Sequence, residues 1–247
     1  KQLQGKVRAE LAAMEPSTGL QAIIEGASSF RTLQSMGDFS GLFRQNVSTL
    51  AWHPIKSARA FGKAMRATFD PGAAAKWDEA LRTLDTDAQM LRDRGKLHLP
   101  EIGSTGIRAE EQFMDRWVRK VPWLGKAISA SERNMTTLLN EVRASVYDDW
   151  VAAARAGGSD LSTEELKRLG SGVNALTGRG AIPGGGNWIL SSVFFAPRFS
   201  WSRFQTIYNA TGVGTGGSAA AKIVTKETRK ALIALTLATI GLLETAE

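Results

Sequence analysis

Apolar positions recur along most of this chain at steps of three and four residues, the spacing of a helix with one buried side. Leu3, Val7 and Leu11 define a predicted helix over 1–14, which Pro16-Ser17-Thr18-Gly19 ends. Leu20, Ile23, Ile24, Phe30 and Leu33 stripe a second helix over 20–36. Residues 37–41 form a turn in which Asp38 or Ser40 can cap the next element. Residues 42–50 are apolar on one side until Trp52-His53-Pro54 breaks them. Pro54 suits the first turn of a helix over 55–69, with His53 beside it as cap. Residues 73–94 are amphipathic around Trp77, Leu81, Leu84, Met90 and Leu91, and 85–87 offer a point of division.

The second half continues in the same way. Leu97 and Leu99 alternate, but one short strand makes no sheet, so 95–106 reads as loop. A helix over 107–118 centres on Phe113, Met114 and Trp117, and Pro122-Trp123-Leu124-Gly125 reads as a turn. The longest clear helix is 130–156, where Leu138, Leu139, Val142, Val146, Tyr147, Trp150 and Val151 keep a 3.6-residue period. Gly157-Gly158 ends it, and Ser162-Thr163-Glu164-Glu165 is a capping signature for 164–176. Residues 208–218 are glycine-rich, 222–229 are charged, and 231–243 run for 13 positions without charge. Strand candidates are few and no repeat is visible. The predicted fold class is therefore all-α, a multi-helix bundle-like module with long Gly/Pro-rich loops and no substantial sheet. It divides into an N-terminal helical region, 1–156, and a C-terminal one, 157–247, read together as one continuous module. Because the chain opens at Lys1 and stops at Glu247 just after an apolar run, it reads as a fragment of a longer protein.

The stretch 173–205 organises the rest. Asn174, Thr177, Gly178, Arg179 and Gly180 form a polar turn, and Pro183 followed by three glycines excludes regular structure nearby. Nine large apolar residues then fall in the 17 positions from Trp188 to Phe204, broken only by Pro197. Such a density implies burial, either in a core or in a contact between copies. Arg198 and Arg203 sit among Phe194, Phe195, Phe199 and Trp201, a setting that suits the planar guanidinium.

The words NALTGRG (174–180) and FFAPRFSWSRFQ (194–205) resemble a module of very large phage and prophage "polyvalent" proteins. That family's pattern is an N-x-x-T-G-R-G word followed by an S-P-R-F-x-x-S-R box. Gly37-Asp38-Phe39-Ser40 with Arg44-Gln45, His53-Pro54 with Phe61, Ser131-Glu132-Arg133 with Leu139-Asn140 and Arg143, and Arg229 before the last apolar run fit it too. The resemblance spans about residues 25–245, and Ala196 stands where the box has Ser. It implies a structural protein of the internal-virion or DNA-ejection type, carried in the particle, delivered with the genome and helping to form a conduit for DNA. The implied partners are further copies of the chain, portal, tail and other ejection proteins, with DNA and the host membrane as candidates. The implied location is the virion, then the host envelope or cytoplasm. An alternative from another class is a segment of an antirestriction or host-takeover protein that binds DNA or host enzymes. A third is an enzyme of unrecognised type.

Composition narrows the chemistry. Apolar residues make up 43% and charged residues 22%, values of a globular chain. The net charge of +7 suits contact with DNA or anionic lipid. Zero cysteines exclude disulfides and thiolate metal sites. Lys56, Arg59, Lys63 and Arg66 share one helix face and, with Arg179, are the candidate phosphate contacts, against the plainer reading of a solvated helix face. Phe194, Phe195, Arg198, Phe199, Trp201, Arg203, Leu235 and Leu242 are the candidate oligomer or membrane contacts. The run 231–243 is too short to span a bilayer, which takes about 20 residues. It reads as a core helix, or as a membrane-penetrating helix with Lys222, Lys226, Arg229 and Lys230 at the headgroups. Asp148 and Asp149 point in different directions and, with Glu132 and Glu141, read as a salt-bridged face more simply than as a catalytic pair. Gly212-Val213-Gly214-Thr215-Gly216-Gly217 fits G-x-G-x-x-G without the strand such a site needs, and reads as a flexible loop. His53 and His98 lie in separate loops, His53 as a cap or packing group. No catalytic residue, metal ligand or cofactor site is assigned.

Overall fold

A computed structural model of the chain describes residues 48–102, 122–180, 197–213 and 217–244. The predicted helices over 1–14, 20–36 and 107–118, the turn at 37–41, and Phe194 and Phe195 lie outside these residues, as do the side chains of Arg198, Phe199 and Leu242. The chain is all-α: no strand occurs among the described residues. After a helical turn at 48–52 come α1 (Pro54–Phe69), α2 (Pro71–Thr83), α3 (Thr86–Arg94), α4 (Pro122–Ala156), α5 (Thr163–Leu176), α6 (Pro197–Thr211) and α7 (Ala219–Glu244).

Local chemistry sets the boundaries. Pro54 begins α1, where a missing amide hydrogen costs nothing, and His53 occupies the N-cap position without a side-chain capping bond. Asp70 ends α1 and caps α2 by accepting from the Ala73 amide at 2.9 Å. Asp85 repeats the device on Ala88 at 2.9 Å, which divides the predicted 73–94 helix into α2 and α3. Ser162 caps α5 through the Glu165 amide. The turn expected at 122–125 is corrected: α4 begins at Pro122 and runs 35 residues, since proline is a favourable first helical residue. Pro197 likewise opens α6, and 208–211, expected as glycine-rich loop, belong to that helix.

Helix α4 is the axis. On one side α1 lies against it through Ser57, Ala60, Ala64 and Ala67, all buried. These small residues bring the backbones close enough for α4 to cap α1. Asn134 donates to the Ala64 carbonyl at 3.0 Å and to Thr68 Oγ1 at 2.7 Å. Arg133 donates to the Ala67 and Thr68 carbonyls at 3.1 Å each, groups the end of a helix leaves without intrahelical partners. On the other side Val142, Val146, Trp150 and Ala154 pack in one cluster with Leu166, Leu169, Val173 and Leu176 of α5 and Ala220 and Val224 of α7. α3 meets α5 at a crossing of two glycines. A Cβ on Gly170 would lie 2.1 Å from the Gly95 carbonyl oxygen, and one on Gly95 would lie 2.1 Å from Tyr147 Oη. Tyr147 is buried and donates to the Leu91 carbonyl at 2.8 Å.

α6 and α7 form a hairpin against α5. Arg229 of α7 donates to the carbonyls of Ala210 and Thr211 at the end of α6, and Gly212 faces Thr225, so the two helices run antiparallel. α7 has 26 residues and α6 has 15, and the end of α6 meets α7 at Thr225 and Arg229 rather than at its first turn. The expectation of a core helix over 231–243 is corrected. Ala231 is buried, but Ile233, Leu237 and Ile240 are exposed. α7 packs through Ala220, Ala221, Val224, Thr228 and Ala231, and its contact stripe ends there.

Candidate interaction surfaces

The basic stripe of α1 is largely committed to the fold. Lys56 pairs with Asp149 and donates to the Ser145 carbonyl, while Lys63 pairs with Glu141 at 2.7 Å. Arg66 lies 5.9 Å over the Trp77 ring. Arg59 is exposed and makes no ion pair with a described residue. The four residues do share a face, as their spacing predicts, but the two lysines on it clamp α1 to α4. The paired acids diverge as expected, Asp149 to Lys56 and Asp148 to Arg92. Such half-exposed pairs hold position more than they stabilise.

The word NALTGRG is a helix end rather than a free polar turn. Arg179 N donates to the Asn174 carbonyl at 2.8 Å and Gly178 N to that of Ala175 at 3.1 Å, with Gly178 at φ +83°, which together close α5 in a Schellman turn. Thr177 and Asn174 face inward. Asn174 accepts from the His98 amide at 3.0 Å and donates to the Lys96 carbonyl at 3.2 Å. Arg143, buried in α4, donates to Thr177 Oγ1 at 2.8 Å, to the His98 carbonyl at 3.0 Å and to the Thr177 carbonyl at 3.4 Å. Asn140 adds a bond to the Pro100 carbonyl at 2.8 Å. Burial, and then the charge of Arg179, pull the Arg143 guanidinium down to about 9, so it remains charged at neutral pH. The acceptors on it are neutral carbonyls and a hydroxyl. This network fixes the 95–102 loop between α4 and α5. The sequence reading singled out Arg143 and Asn140 only through the resemblance. The signal for their role was two polar residues inside the apolar period of α4.

A second polar knot joins the start of α1 to α7. Trp52 Nε1 donates to Glu227 at 2.9 Å, Lys230 pairs with Glu227 at 2.9 Å, and the Lys230 ammonium lies 4.8 Å from the Trp52 ring centre. His53 packs beside Trp52, and its Nε2 is shielded with no hydrogen-bond partner among the described residues. Burial and then the Lys56 charge hold His53 below its ordinary 6.5.

The aromatic box, expected to be buried in a core or in a contact between copies, faces out of the module at Trp201 and Phe204. α6 sets Ser202 and Thr206 inward, Gln205 donates to Ser171 at 2.8 Å, and Arg203 donates to Ser48 at 3.0 Å. Burial lowers the Arg203 guanidinium. Trp201 and Phe204 are exposed, Phe204 by 67%, and so are Ile207 and Tyr208, so the core half of that expectation is corrected for these two residues. The helical period decides this: with Ser202 and Thr206 against α5 and α7, positions 201, 204 and 208 must face away. Leu235 is half-buried on α7.

One groove gathers charge. Gly212, Lys222, Thr225, Lys226, Arg229 and Lys230 line a cavity of about 440 Å³ that opens to solvent between the turn after α6 and the first half of α7. Among the described residues no cluster of His, Asp or Glu could hold a metal ion, and no helix is long and apolar enough to cross a membrane. Comparison of the chain with protein-family models, with curated proteins and with solved structures finds no match.

Proposed function

We propose that this chain is a structural, non-catalytic module of an internal, ejection-type phage virion protein, and that copies assemble through the outward face of α6. The sequence basis is the resemblance carried by NALTGRG, the APRF box and their upstream companions. The observation that carries the assembly reading is the face formed by Trp201, Phe204, Ile207 and Tyr208, exposed apolar and aromatic side chains at helical spacing. The four side chains are themselves uncharged, and symmetric contacts bury such apolar patches against themselves. The polar words of the resemblance support a scaffold role: Arg133, Asn140, Arg143, Asn174 and Arg229 all bond main-chain groups within the module.

Light scattering behind gel filtration tests the assembly. The chain is expected as a multimer, and Phe204→Ser combined with Ile207→Ser is expected as a monomer with unchanged helicity. A parent chain that is strictly monomeric, or a double variant that assembles as the parent does, overturns it. Mass spectrometry of purified virions tests the setting. Presence at a fixed copy number is expected, and absence removes the virion reading.

A further inference from the structure

We infer that the groove between the Gly212 turn and α7 binds the phosphate groups of an anionic lipid surface, with the exposed end of α7 entering the bilayer boundary. Lys222, Lys226 and Arg229 stand at steps of four and three on one face of α7. All three are exposed, and no carboxylate among the described residues pairs with Lys222 or Lys226. Arg229 spends two donors on the carbonyls of Ala210 and Thr211, which fix its direction and offset part of its charge at the end of α6. Lys230 is the exception, since Glu227 and the Trp52 ring hold it. Lys222 and Lys226, without a paired carboxylate among the described residues, therefore face one open cavity together with the anchored Arg229.

The uncharged atoms of the groove suit an oxyanion as well. Thr225 Oγ1 is shielded from solvent and has no hydrogen-bond partner among the described residues, although its side chain lines the cavity. A hydroxyl in that condition is a donor suited to a phosphate oxygen. Opposite it, Gly212 has φ +75°, and a Cβ there would press on Thr225 Cγ2 at 3.3 Å. The glycine keeps the groove open as well as permitting the turn.

The same helix decides between phosphate sources. Directly after Lys230, α7 runs without charge to Leu243, and Ile233, Leu237 and Ile240 are exposed on it. A nucleic acid laid in the groove would leave that stretch in water. A bilayer takes both halves: anionic headgroups meet the cations while the apolar end sits at the acyl boundary. Cations and exposed aliphatic residues follow one another along the same face of α7, so the helix would meet the surface with its first half at the headgroups and its far end dipping to the acyl boundary. It is attachment without spanning, consistent with the absence of a membrane-crossing helix among the described residues.

The test is flotation of the whole chain with vesicles of phosphatidylcholine alone and of phosphatidylcholine with phosphatidylserine. Parallel arms titrate duplex DNA and inorganic phosphate. Binding is expected on the anionic vesicles only, and it should fall with added salt. Each cation removed is expected to weaken it about fivefold, so K222Q with K226Q loses on the order of 25-fold. Leu237→Ser is expected to weaken vesicle binding while leaving weak phosphate competition unchanged. Circular dichroism confirms that each variant keeps its helices. Equal binding to neutral vesicles overturns the inference, as does anionic binding that ignores K222Q with K226Q. DNA binding that the double variant abolishes, with no vesicle binding, reassigns the groove to nucleic acid and overturns the lipid assignment. None of these outcomes depends on the α6 face, so this inference and the assembly reading fail separately.

Discussion

The crossing of α3 and α5 allows one substitution to be predicted with opposite signs at two sites. Gly170 lies in the interior of α5, where alanine is favoured over glycine by about 1 kcal/mol on backbone grounds. Its added Cβ would nevertheless stand 2.1 Å from the Gly95 carbonyl oxygen and 3.0 Å from its carbon. That is about 1 Å inside ordinary contact, and the obstacle is main chain rather than the end of a flexible side chain. Relief requires moving the end of α3, which Tyr147 holds through the Leu91 carbonyl. Overpacking of this kind costs about 1–3 kcal/mol. With a clash this deep the upper end applies, so Gly170→Ala is expected to lose about 2 kcal/mol net. Gly62 is the control. It lies in α1 with nothing within 4 Å of the added Cβ, so Gly62→Ala is expected to gain about 0.5–1 kcal/mol. Urea unfolding followed by far-ultraviolet circular dichroism measures both. A Gly170→Ala variant as stable as its parent would refute the crossing, and a destabilising Gly62→Ala would refute the placement of α1.

Three further outcomes follow from the interior. His53 titrates below its ordinary 6.5 in the folded chain, so the unfolded chain binds its proton more tightly; stability is full above that value and declines as pH falls below it. Urea midpoints of the parent should therefore drop between neutral and mildly acidic pH, and His53→Asn should flatten that drop; an unchanged slope counts against a neutral, shielded imidazole. Arg143→Met leaves the His98 and Thr177 carbonyls without their donor and is expected to cost about 2 kcal/mol. Arg143→Lys should not restore it, because a single ammonium cannot reproduce the guanidinium fork, and full rescue by lysine would contradict the geometry. Leu169→Ala, fully buried, should cost about 2–5 kcal/mol by the same unfolding measurement.

The starts of α1, α2, α3 and α5 have local causes in Pro54, Asp70, Asp85 and Ser162, which act within a few residues of themselves, and the body of α4 was legible from its long apolar period. The misread boundaries lie at prolines. A proline can end one helix or begin the next, and only the fold decides which; Pro122 and Pro197 each begin one. The sequence showed Trp201 and Phe204 as part of a dense apolar set without showing whether a core or a contact between copies would bury them. Their hydrophobicity argues for burial, yet Ser202 and Thr206 supply the small surface that lets α6 sit close to its neighbours. The stripe of α1 was correct in spacing and incomplete in meaning, since the acids that take up Lys56 and Lys63 come from α4, some 80 to 90 residues on.

Two inversions of the usual pattern point the same way. Inside the module, Asn134, Asn140 and Arg143 occupy the buried side of the central helix, where aliphatic residues would pack more simply. Each hydrogen-bonds a main-chain carbonyl of another segment: Ala64, Pro100 and His98. A buried donor left without such a partner costs more than it contributes when satisfied. These side chains therefore disfavour alternative packings and hold α1 and the 95–102 loop in one arrangement on α4. Outside, Trp201, Phe204, Ile207, Ile233 and Leu237 are left in water at the hairpin. A fold whose interior is this specific has no need of those residues for its own stability, since α6 and α7 already dock through Ser202, Thr206, Val224 and Thr228. That exposed apolar surface is what the proposed contact between copies and the proposed lipid contact would cover. The exposed side chains of α6 are mainly aromatic, whereas α7 joins cations to aliphatic residues, so the two proposals make separable demands: variants of Phe204 and Ile207 should change mass and not vesicle binding, and variants of Lys222 and Lys226 the reverse.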